Sequence, residues 1–88
     1  MLFWIATACK QARKHAGRIQ SQIAASAVVD QATINRFEHH IAWPKVGADR
    51  IVAAYADDLD IDVLALWQQA IHLWSRRKGG ESLEELGA

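Results

Sequence analysis

Internal disulfides are excluded at the outset, because Cys9 is the only cysteine in the 88-residue chain. The same scarcity rules out a multi-cysteine zinc cluster and fits a reducing cytoplasm, where Cys9 reads as a small buried hydrophobe. Proline is equally rare, Pro44 standing alone. Little therefore interrupts helices, and alanine, leucine, glutamine and arginine supply strong helix formers. Acidic residues are missing before Asp30. Long apolar runs are missing too: the opening MLFWIATACK lacks a basic leading segment and falls well short of the ~20 residues of a membrane span. A soluble, unprocessed, cytoplasmic all-α protein is expected, small enough to hold one compact core.

The formal net charge is zero, which argues against a nucleic-acid coat working by bulk charge. The distribution is uneven. In the front half Lys10, Arg13, Lys14, Arg18, Arg36 and Lys45 meet only Asp30 and Glu38. Behind them Asp49, Asp57, Asp58, Asp60, Asp62, Glu81, Glu84 and Glu85 outnumber Arg50, Arg76, Arg77 and Lys78. An anionic partner is drawn to the front.

Apolar periodicity divides the chain into five helical segments. From about Phe3 to Ala16, Ile5, Ala8, Cys9 and Ala12 share a stripe, and Gly17 ends the helix in a left-handed conformation. Between Gln20 and Ala27, Ile23, Ala24 and Ala27 lie opposite Ser21, Gln22 and Ser26. VVDQ is a tight connection with Asp30 as N-cap. The third helix, from about Gln31 to near His39, turns Ile34 and Phe37 inward and Gln31, Ala32, Asn35 and Arg36 outward. The loop HHIAWPKVG follows, anchored by Trp43. A fourth helix spans about Ala48 to Asp58, with Ile51, Val52, Tyr55 and Ala56 inward, and Leu59 and Ile61 close the turn. Asp62 caps a fifth that carries Val63, Leu66, Trp67, Ala70, Ile71 and Trp74 at helical spacing to about Arg77. Arg76, Arg77 and Lys78 suit its C-terminal end, and Gly79 and Gly80 break it. Residues 1–78 are thus expected to form the domain and residues 79–88 a short acidic tail.

Two short helices across a tight turn, the second with a polar outer face, make the arrangement that lays a helix in the DNA major groove. Pattern alone leaves a merely solvated helix face open. The residue order adds to it. GRIQSQIAASAVVDQATINRFE, Gly17 to Glu38, resembles the helix-turn-helix core of the Cro and lambda-repressor-like family, also called the Xre family. Gly17, Gln20, Ile23, Ala24, Val29, Thr33, Ile34, Arg36, Phe37 and Glu38 carry the match. CKQARKHAG resembles the family's first helix and YADDLDID the end of its fourth, so the resemblance covers most of residues 5–74. It implies a compact five-helix domain with the helix-turn-helix in helices 2 and 3.

The resemblance also implies roles. Gln31, Ala32, Asn35 and Arg36 match positions that face base edges. Gln20 matches one that bonds a phosphate and braces the reading helix. Thr33 matches one that touches the DNA backbone or caps its helix, and His39, His40 and Lys45 lie in a loop that meets phosphates. Arg13 and Glu38 match a structural salt bridge between the first helix and the end of the third. The chain departs from the family at Ile19, where Ser or Thr is usual, and at Val28, where Gly is usual. The side-chain chemistry agrees independently: Gln and Asn pair bidentately with adenine, Arg with guanine, and the Ala32 methyl suits thymine.

His39 and His40 are adjacent, a spacing that does not aim two rings at one ion from a helical face, so no metal is expected. The acidic run from Asp57 to Asp62 lacks the central Gly and terminal Glu of a calcium loop. No nucleophile with its base, phosphate-cradling glycine loop or carboxylate dyad stands out, and neither enzyme activity nor a cofactor is expected. Trp43 and Trp67 serve the core, whereas Phe3 with Trp4, and Leu73 with Trp74, read either as core or as an association surface. The resemblance implies pairing through the last helix, hence a homodimer with Trp67, Ile71 and Trp74 at its interface and reading helices about one DNA turn apart. The leading expectation is a sequence-specific double-stranded DNA-binding regulator, a phage or bacterial repressor that occupies a pseudo-palindromic operator. The rival is a protein-interaction module or antitoxin on the same scaffold.

Overall fold

The computed structural model describes residues 2–39 and 47–87, and their side chains except those of Leu2, Ala48 and residues 77–87. Five helices follow in order: α1 Leu2–His15, α2 Gln20–Ala27, α3 Gln31–Glu38, α4 Ala48–Leu59 and α5 Val63–Gly87. No strand occurs among the described residues, and none of their helices is long and apolar enough to cross a membrane. The architecture is the compact all-α, five-helix one expected.

The apolar stripes explain the packing. Ile5 and Cys9 from α1, Ile23 from α2, Ile34 and Phe37 from α3, Ile51, Val52 and Tyr55 from α4, and Leu66 and Ala70 from α5 form one buried cluster. Each large aliphatic or aromatic side chain removed from water contributes about 1.5–3 kcal/mol. The longest helix, α5, packs chiefly along α1, while α2 packs on α4 and on α3. The short α3 packs on α2 and on α1, with Phe37 set against Tyr55 of α4.

Three helices end in the same way, with three different residues in the left-handed position. After α1, Gly17 (φ 71°) donates its N–H to Lys14 O and Arg18 donates to Arg13 O. After α2, Val28 (φ 58°) donates to Ala25 O and Val29 to Ala24 O. After α4, Asp60 (φ 55°) donates to Asp57 O and Ile61 to Ala56 O. This paired bonding satisfies carbonyls left open at a helix end, and glycine adopts it without Cβ strain. A β-branched residue there is strained. Val28 has no burial to compensate, being 76% exposed.

The expected end of α5 is corrected. Gly79 and Gly80 do not break the helix, which continues to Gly87. Glycine costs about 1 kcal/mol per residue in a helix interior but keeps its N–H, so the hydrogen-bond ladder persists where proline would sever it. Arg76, Arg77 and Lys78 consequently lie within the helix rather than at its C-terminal end. The N-terminal signal holds: Leu64 N–H donates to Asp62 Oδ1 at 2.9 Å.

Candidate nucleic-acid interface

The α2–turn–α3 unit is assembled from its ends. Asp30 caps α3: its Oδ1 accepts from the Thr33 N–H at 2.8 Å and from the Thr33 hydroxyl at 2.6 Å. Those two bonds hold the Asp30 carboxyl below its ordinary range and fold the charge onto its own helix. Thr33 thus spends both its N–H and its hydroxyl proton on the Asp30 cap. At the start of α2, Ile19 has no side-chain acceptor, and only the Gln22 side chain reaches back, accepting from the Ile19 N–H at 3.0 Å. With Ile34 and Phe37 buried beneath, α3 leaves Gln31, Ala32, Asn35 and Arg36 exposed. His39 is exposed as well, its Nδ1 lying 2.8 Å from Asn35 O.

Beneath that face lies a buried polar cluster. Arg13 Nε donates to Glu38 Oε2 at 2.7 Å and Arg13 Nη2 to Glu38 Oε1 at 2.8 Å. The Tyr55 hydroxyl donates to Glu38 Oε2 at 2.5 Å and Gln20 Nε2 to Glu38 Oε1 at 3.0 Å. Arg13 Nη1 also donates to Arg18 O at 2.9 Å. Glu38 is 1% exposed, and burial pushes its carboxyl up, but bonds from Arg13, Tyr55 and Gln20 outweigh that and leave it lowered. The bond to Glu38 raises the Arg13 guanidinium. Burial, then the bond to Glu38, push the Tyr55 phenol up. Burial does the same to the Cys9 thiol, helped by the Glu38 charge. No buried side-chain N or O among the described residues lacks a partner, as a buried ionic cluster requires.

The expected Arg13–Glu38 bridge is therefore present, and Tyr55 is its unexpected third member. A tyrosine set in an otherwise aliphatic stripe was the available signal, since a buried phenol needs a partner. Gln20 uses both ends of its amide within the domain: besides Glu38, its Oε1 accepts from the exposed Asn35 Nδ2 at 3.3 Å. Of its two expected roles the structure displays the bracing one.

Internal pairing also trims the basic front. Arg18 forms a two-pronged bridge to Asp58, at 3.0 and 3.1 Å, and Ser26 Oγ donates to the same carboxylate at 3.2 Å. Arg18 thus ties the α1–α2 turn to the end of α4. Lys14 and Arg36 are exposed and Lys10 is half-buried. His40, Trp43 and Lys45 lie outside the described residues. Among the described residues no three His, Cys, Asp or Glu side chains converge as a metal would require.

The apolar residues at helical spacing on α5 divide between core and surface. Leu66 and Ala70 are buried and Trp67 is half-buried against the core, but Val63, Ile71 and Trp74 are exposed. Of the three residues expected at an interface, Ile71 and Trp74 are thus exposed and Trp67 is half-buried. Leu64, 56% exposed, joins Trp67, Ile71 and Trp74 in a 3-4-3 spacing, the period of a seam between helices. Phe3 is exposed too, in edge contact with Trp4 at a 4.7 Å ring separation.

Compared with known proteins, the chain matches no family model, no curated protein and no solved structure.

Proposed function

We propose that this protein is a sequence-specific double-stranded DNA-binding regulator, a repressor of phage or bacterial type that acts by occupying an operator. The observation that carries the reading is the exposed set Gln31, Ala32, Asn35 and Arg36 on the eight-residue helix α3. These residue types can read base edges, and the buried Arg13–Glu38–Tyr55 cluster holds the helix that presents them. Arg36 is the guanine reader, Gln31 and Asn35 are adenine readers, and Ala32 is a thymine contact. His39, His40 and Lys45 serve phosphates, with Gln20 and Thr33 acting chiefly as braces.

The exposed Leu64, Ile71 and Trp74, with Trp67, support a homodimer through α5 that spaces two α3 helices for half-sites about one DNA turn apart. The same apolar face favours the second reading, a protein-interaction module or antitoxin that docks another protein. Binding of matched and scrambled duplexes across a salt series separates the two. A specific reader prefers the matched site by orders of magnitude, whereas equal binding of both, or none by the folded protein, sinks the proposal.

A further inference from the structure

Glu38 reaches the exposed face of α3 through two amides. Its ionised carboxylate cannot donate, so Gln20 must turn Nε2 toward it, at 3.0 Å. Gln20 Oε1 then faces Asn35 and can only accept, so Asn35 must present Nδ2, at 3.3 Å. Reversing either amide sets oxygen against oxygen. We propose that Gln20 is a positioning residue that fixes the amide polarity of Asn35, leaving Asn35 Oδ1 and one Nδ2 proton to select an adenine edge.

The inference rests on the DNA-reading proposal above. An asparagine free to turn over offers either an acceptor or two donors to whatever it meets. One held by a proton toward Gln20 must bring its Oδ1 to a donor. Adenine alone offers the N6 donor beside the N7 acceptor in the major groove. Cytosine offers only its N4 donor, and guanine and thymine present acceptors that oppose Oδ1. Among the described residues Gln31 and Arg36 have no such tether, so the constraint belongs to the base pair facing Asn35.

Gln20→Met keeps the chain length and removes both bonds. Proton exchange of the Asn35 side-chain amide, followed by NMR in the free protein, should show one protected Nδ2 proton that loses protection in Gln20→Met, with the Gln31 amide unmoved. In selection from random duplexes, Asn35→Ala identifies the base pair that Asn35 faces. There the adenine preference, about 5- to 150-fold for a good bidentate pair, should fall in Gln20→Met to about threefold or less while the pairs read by Gln31 and Arg36 keep theirs. An Asn35 amide indifferent to Gln20→Met overturns the relay whatever the DNA result. A uniform fall over all positions overturns the specificity role, leaving Gln20 a phosphate contact. Equal binding of matched and scrambled duplexes by the parent overturns the DNA reading and the adenine assignment with it, while the amide signal judges the relay separately.

Discussion

Arg13 and Glu38, 25 residues apart in sequence, meet through two hydrogen bonds of 2.7 and 2.8 Å that tie α1 to the last turn of α3. Breaking one side of a buried pair strands the other charge, at about 3–5 kcal/mol. Arg13→Met should therefore lower the urea-unfolding free energy by about that much. Arg13→Met with Glu38→Met should recover part of the loss, since no buried charge remains although the Tyr55 hydroxyl loses its acceptor. Strictly additive losses in the double variant would contradict this account.

The same cluster sets an acid limit. The Glu38 carboxyl lies lower in the folded protein than in the unfolded chain, whose value is about 4.3. Its stabilisation is therefore complete above about pH 5 and fades as pH falls through the unfolded and then the folded value. Asp30 and Asp58, also lowered, act in the same direction. Urea midpoints measured from pH 7 to pH 3 should fall steadily in the parent. Glu38→Gln should be weaker at pH 7 and show a shallower slope below pH 5.

Val28 is the strained member of the three helix ends. Relief of a left-handed L-residue is worth about 1–2 kcal/mol, offset by about 0.4–1 kcal/mol for the added freedom of glycine in the unfolded chain. Val28→Gly should stabilise the domain by about 1 kcal/mol, raising the melting temperature by about 4–8 °C. Val28→Ala, which keeps a Cβ, should gain less. A lower melting temperature for Val28→Gly would show that the valine side chain contributes more than its exposure suggests.

Base and phosphate contacts should separate by salt. Arg36→Ala should cost about 1–3 kcal/mol and relax the preference at one base pair. Lys45→Ala should weaken every duplex alike and flatten the salt dependence by about one unit of slope.

Ile71→Glu places a charge in the middle of the exposed apolar face of α5. Sedimentation equilibrium should show the parent dimeric and this variant monomeric, with the helical circular dichroism retained.

The fold was largely legible because short helices with clean apolar stripes announce themselves. Ile23, Ala24 and Ala27, or Ile34 and Phe37, leave one arrangement for α2 and α3. Periodicity says which side is inward but not what meets there. Arg13 and Glu38 were paired only through a family resemblance, and the Tyr55 hydroxyl, hidden in a stripe of hydrophobes, was not assigned to them. The same blindness left Leu73 and Trp74 open between core and surface: a helix with apolar residues on two faces looks uniformly buried until its neighbours are known. Gly79 and Gly80 misled because glycine weakens a helix without ending it. Gln31, Ala32, Asn35 and Arg36 were legible as exposed side chains, whereas the Gln20–Asn35 bond between two polar side chains left no periodic trace.

Cys9 offers a practical handle. The chain's sole thiol is sealed in the core with its ionisation suppressed, so an alkylating reagent meets it only when the bundle opens. Its labelling rate is a built-in clock for unfolding, needing no engineered probe and readable by mass alone.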